Sequence, residues 1–180
     1  MRFIAPALLF VTLSACSVSG EVNIGTPTVE NATEDLIESD LADQIGLGDL
    51  NASCSKPVSD DVGSRFLCTA VTDGGGTIEL QAVIEENGPF VETTNVVLGE
   101  NLPEIAAILI AEVETQSGLD LADDALDCGT KSLIVNDANE ILCQLEDPAG
   151  DRFDTTITFN GLDTEDSSFD FFVDTETPSG

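Results

Sequence analysis

The apolar positions of this chain follow two periods in turn, and the pair of periods occurs twice. Leu36, Ile37, Leu41 and Ile45 recur at helical intervals with Glu34, Asp35, Glu38, Asp40 and Asp43 between them, which predicts an amphipathic helix with one buried stripe. Gly46 and Gly48 then stop it. Farther along, Asn101-Leu102-Pro103-Glu104 offers a capping residue followed by Glu, and Ile105, Ile108, Leu109 and Val113 supply a second stripe up to Gly118. Each helix is followed by a cysteine-bearing segment and then by strict alternation. Ile78, Leu80, Ala82 and Ile84 define one buried strand face, and Phe153, Thr155, Ile157 and Phe159 define the other. Turn chemistry separates the strands at Asp73-Gly74-Gly75-Gly76, Asn87-Gly88-Pro89, Asp147-Pro148-Ala149-Gly150 and Asn160-Gly161. Final strands are expected near Phe90 to Leu98 and Ser168 to Val173.

A helix followed by about four antiparallel strands buries its stripe on one sheet face. The fold class expected is therefore α+β, with two repeated units, each a helix on a small antiparallel sheet. Matching flanks support the repeat: Phe66-Leu67-Cys68 resembles Ile141-Leu142-Cys143, and Gln44, Gly46 and Leu47 resemble Gln116, Gly118 and Leu119. The expected organisation is a leader over 1–15, a tether over 16–30, a first unit over 31–99, a second over 100–174 and a tail over 175–180.

The leader has its own logic. Met1 and Arg2 precede an uncharged run from Phe3 to Leu13, well short of the ~20 apolar residues a membrane-spanning helix needs, so the run reads as an export signal. Leu13-Ser14-Ala15-Cys16 resembles the lipobox of bacterial lipoproteins. That resemblance implies cleavage before Cys16 and lipid on its thiol, with two or three acyl chains giving lasting attachment where one would not. The expected location is extracytoplasmic, on the cell membrane.

Four cysteines remain, Cys54, Cys68, Cys128 and Cys143, an even number in an exported chain. Four cysteines allow three connectivities. The repeat favours Cys54 with Cys68 and Cys128 with Cys143, because each pair lies in one unit and flanks a hairpin. A staple closing a loop of about 15 residues adds ~3 kcal/mol in the chain-entropy model, which suits units of this size.

The order of lipobox, helix, paired cysteines and hairpin strands resembles modules of unknown function in actinobacterial envelope lipoproteins. There, a Pro near the first Cys and a Gly shortly before the second recur, as Cys54, Pro57, Gly63 and Cys68 do here. The second unit keeps Cys128 and Cys143, lacks the Pro and has Ala138 in place of the Gly. The resemblance implies export and a stapled α+β module, and it carries no catalytic residue.

Composition narrows the chemistry further. Thirty-five acidic residues face five basic ones, a formal charge of −30, which excludes affinity for a nucleic-acid backbone. The chain has no His, Trp or Tyr, so an imidazole base and a His metal ligand are both excluded. Carboxylates are too numerous for any pair to stand out as the acid and base of a glycosidase. Asp120, Asp123 and Asp124, or Asp163, Glu165 and Asp166, could offer oxygens to calcium, but neither loop has the EF-hand pattern. Asn136-Asp137-Ala138-Asn139-Glu140 lacks the Gly and the distant Glu of that loop. Asp73-Gly74-Gly75-Gly76 has no following Lys and reads as a turn rather than a phosphate loop. No metal or cofactor is expected. The acidity suits a saline habitat, or a cationic partner drawn in electrostatically. The functional expectation is a tethered, noncatalytic binding module, whose partners are the membrane through Cys16 and an envelope protein or ligand. The competing expectation is a carboxylate- or metal-dependent extracytoplasmic enzyme.

Overall fold

The structure, a computed structural model, describes residues 17–19, 28–162 and 168–175. It is α+β and divides into two compact units between Leu98 and Gly99.

The N-terminal unit contains β1 (Ser17–Ser19), a helix in three segments, and strands β2 (Leu50–Cys54), β3 (Arg65–Thr72), β4 (Thr77–Glu85), β5 (Gly88–Thr93) and β6 (Val96–Val97). The helix runs as α1 (Val29–Leu36), a π-helical turn (Ile37–Leu41) and α2 (Ala42–Ile45). It starts where the Thr28 hydroxyl accepts the Asn31 N–H at 3.4 Å, and stops where Gly46 takes the left-handed conformation at φ 68°. Leu36, Ile37, Leu41 and Ile45 are all buried, as the periodicity predicts. The wider π turn also turns Ala42 inward. Within residues 16–30, expected to be a tether, Ser17–Ser19 form β1 and Val29 and Glu30 begin α1. β1 pairs antiparallel with β5, Val18 opposite Val91, so this sheet has five strands where about four were expected, in the order β1-β5-β4-β3-β2.

The C-terminal unit opens with a 3-10 turn (Gly99–Asn101), followed by α3 (Leu102–Ser117) and strands β7 (Leu126–Asp127), β8 (Leu133–Ile134), β9 (Glu140–Glu146), β10 (Arg152–Asn160) and β11 (Ser168–Val173). Gly118 ends α3 at φ 71°. Two expectations for α3 fail. Asn101 lies in the helical region and makes no side-chain cap, because the 3-10 turn already leads the chain into the helix. Of the expected stripe Ile105 and Leu109 are buried, together with Leu102 and Ile110, while Ile108 and Val113 are half-buried. Gly99 permits a close approach: a Cβ there would lie 2.7 Å from the Thr130 carbonyl oxygen. The main sheet runs β11-β10-β9-β7.

In each main sheet the strand after the helix forms one edge, and a three-strand meander follows it, β3-β4-β5 in the N-terminal unit and β9-β10-β11 in the C-terminal one. The predicted alternation is observed: Ile78, Leu80, Ala82 and Ile84 are buried in β4, and Thr155, Ile157 and Phe159 in β10, with Phe153 half-buried at the sheet end. Phe159 and Phe169 pack with ring centroids 6.2 Å apart.

Candidate functional site

The cysteines sit where two extended strands face each other. Cys54 lies directly opposite Cys68 in the β2–β3 ladder, and the disulfide joins them with Cα atoms 4.0 Å apart. The Ser55 N–H donates to the Leu67 carbonyl at 2.8 Å, so the adjacent cysteine pair is a non-hydrogen-bonded one, the closer of the two kinds of facing pair. Cys128 bridges Cys143 with the same placement, one residue beyond the β7–β9 register of Leu126 with Leu145 and Asp127 with Gln144. Cys68 and Cys143 point into the buried sheet faces. Both predicted bridges are formed, as structural staples suited to an oxidising, extracytoplasmic environment.

Sheet edges carry the clearest polar geometry. On β2 the N–H groups of Cys54 and Ala52 point away from β3, and both are taken by the helix: Cys54 donates to Glu34 Oε1 at 2.8 Å and Ala52 to Glu38 Oε1 at 2.9 Å. These two carboxylates read in sequence as part of a solvated face, and instead they close a sheet edge. No sequence signal separates them from Asp35, Asp40 and Asp43, since what lies opposite a helix face is a tertiary fact. The other edge of that sheet, β5, is covered by β1. The C-terminal sheet is different. Its β7 edge is two residues long, and on β11 nothing among the described residues pairs with the side away from β10.

Beside β11 lies an apolar pocket of about 170 Å³, walled by Val113, Leu121, Leu145, Phe153, Phe171 and Val173. A broader, polar depression of about 450 Å³ lies across β7 and the β9–β10 turn, with Asp124, Asp127, Glu146, Asp147 and Arg152 around it. The Arg152 guanidinium there is held by Glu146 at 3.0 Å, an exposed pair.

Polar side chains in several loops serve the backbone. Asn136 Oδ1 accepts the Ala138 and Glu140 N–H groups at 2.9 and 3.0 Å, with Asn139 in the left-handed region at φ 60°. Asp147 Oδ1 accepts from Ala149 and Asp151 in the same way, and Thr72 Oγ1 accepts from Gly76 in the Asp73-Gly74-Gly75-Gly76 turn. Asp120, Asp123 and Asp124 are exposed, and among the described residues no three His, Cys, Asp or Glu side chains gather as a metal site would require. Asp163, Glu165 and Asp166 lie outside the described residues, as does Cys16. Among the described residues Glu30 is the one carboxyl with a directional shift: its own backbone N–H, then the Thr28 hydroxyl and the Lys56 charge, hold it below the ordinary value. Among the described residues no helix is long and apolar enough to cross a membrane.

Comparison with known protein families, with curated proteins and with solved structures finds no match to this chain.

Proposed function

We propose that the protein is an exported lipoprotein, held on the outer side of the cell membrane by acyl chains on Cys16, and that it acts there as a noncatalytic binding module. The observation that carries the tether is the tetrapeptide Leu13-Ser14-Ala15-Cys16 behind a short uncharged run. The two disulfides support export, since they persist only where thiols are not kept reduced. The binding role is supported by the sheet edge and apolar pocket of the C-terminal unit, a main-chain and side-chain combination suited to recognising extended segments.

The two units descend, in this reading, from one duplicated ancestor. The shared strand order, the two left-handed helix-ending glycines and the two disulfides at equivalent ladder positions support the duplication. Among the described residues the units differ at one edge: β1 pairs with β5, and no described segment pairs with the outer side of β11.

Changing Cys16 to Ser removes the thiol that would take the lipid. The variant is expected to appear in the soluble fraction of cells, while the unaltered protein sediments with membranes. A Cys16→Ser chain that is processed normally and still sediments would overturn the tether.

A further inference from the structure

We propose that the edge of β11 with which no described residue pairs receives an extended peptide segment of another protein, in which basic and apolar residues alternate. The segment would add a fifth strand to the C-terminal sheet and place an apolar side chain in the adjoining pocket. The proposal gives a partner class to the binding-module reading and rests on it.

Which groups of β11 are free follows from the ladder. The Asp174 N–H donates to the Asp154 carbonyl at 2.9 Å, so hydrogen-bonded pairs fall on alternate residues, Thr156 with Phe172 and Thr158 with Asp170. The N–H and C=O groups of Phe169, Phe171 and Val173 therefore face away from β10. That is a row of donors and acceptors at strand spacing, the template for strand addition.

The N-terminal unit shows what such an edge accepts. There β5 stands where β11 stands, last in the meander, and β1 pairs with it. β1 reads Ser17-Val18-Ser19, with Val18 opposite Val91, 8% exposed and inside the core, where β1 lies against the Ile37–Leu41 turn of the helix. The C-terminal unit has no described segment in that place. It has instead the apolar pocket, bounded by Phe171 and Val173 of β11 and by Val113 on the last turns of α3. An incoming strand thus finds apolar space beside Phe171 and Val173 for one of its side chains.

Charge selects the residues on either side of the apolar one. In an added strand these alternate positions project to the outer sheet face, where β11 and the residue after it present Asp170, Phe172 and Asp174, and β10 presents Asp154. Lys or Arg at those positions meets carboxylates, and their stems cover Phe172, which is 43% exposed. A second copy of this chain would bring another β11 with its own carboxylates, and a formal charge of −30 opposes that pairing.

The test uses the full-length, disulfide-bonded protein and a synthetic peptide of alternating Lys and Val. Amide hydrogen exchange is followed at Phe169, Phe171 and Val173, and those amides should gain about tenfold protection or more as the peptide saturates. A peptide N-methylated on the nitrogens that face β11, one with Ser for Val, and one with Glu for Lys should each lose that protection. Asp170→Asn with Asp174→Asn should weaken the Lys-Val peptide severalfold and flatten its salt dependence. Equal binding of the Ser peptide, binding that leaves these amides unprotected, or no binding at millimolar peptide would each overturn the proposal. So would protection of the same amides by self-association without peptide, which would assign the edge to a second copy. Membrane release by Cys16→Ser tests the tether separately, so failure of one reading leaves the other standing.

Discussion

Glu34 and Glu38 are two carboxylates among thirty-five, and each has a specific backbone partner. Replacing either with Ala leaves an edge N–H without its acceptor, and each change should cost about 1 kcal/mol in urea unfolding, whereas Gln, which keeps a carbonyl oxygen, should recover most of the loss. Equal effects of Ala and Gln at both sites would show that charge, not pairing, is what the helix contributes. Glu30 supplies a pH dependence. Its folded pKa is lowered, so its stabilising contribution is present above the unfolded value near 4.5 and is lost as the pH falls through the folded value. The stability gap between the protein and its Glu30→Gln variant should therefore narrow on acidification below about pH 4.5, measured by denaturant unfolding at each pH. A gap that stays constant or widens would contradict the hydrogen bonds assigned to it. At this scale buried residues were legible and polar partners were not. Leu36 through Ile45 declared themselves by spacing, because burial follows a period; the partner of Glu34 lies 20 residues away, where no local rule reaches.

Helices, strands and turns were legible in kind because each has its own period and its own stops. Gly46 and Gly118 end their helices for the backbone reason the sequence suggested. The failures have local causes. Asn101 resembled a cap, yet the preceding Gly99–Asn101 turn supplied the helix start. β1 was missed since three residues, Ser17-Val18-Ser19, carry too little pattern to signal a strand, and only the neighbouring β5 makes them one. The disulfides were legible through the matching flanks and spacing of the two cysteine pairs, and they act on these elements by fixing the edge strands. Each pair closes a loop of 14 or 15 residues, so Cys68→Ala paired with Cys54→Ala, or the equivalent change at Cys143 and Cys128, should cost about 3 kcal/mol. Nonreducing peptide mapping should return two intra-unit linked peptides. A peptide joining Cys54 to Cys128 would break the pairing and the unit boundaries together.

The whole molecule carries a formal charge of −30, and its exposed carboxylates repel one another in dilute buffer. Raising NaCl shortens the screening length from ~10 Å at 0.1 M to ~3 Å at 1 M, so Tm should climb with salt of any kind. A stepwise rise with micromolar calcium in 1 M NaCl, absent with magnesium, would instead establish a specific site, worth about 2.7 kcal/mol at a hundredfold excess over Kd. The fold class was readable at this scale; the pairing of β1 with β5 was not, because it depends on which segment returns to pair with a strand far from it in sequence. The account as a whole stands on the attachment at Cys16. Mass spectrometry of the N-terminal peptide from the membrane fraction tests it most directly: the account predicts a chain beginning at Cys16 and carrying a thioether-linked diacylglycerol. An N-terminus at any other residue, or an unmodified Cys16, would contradict it.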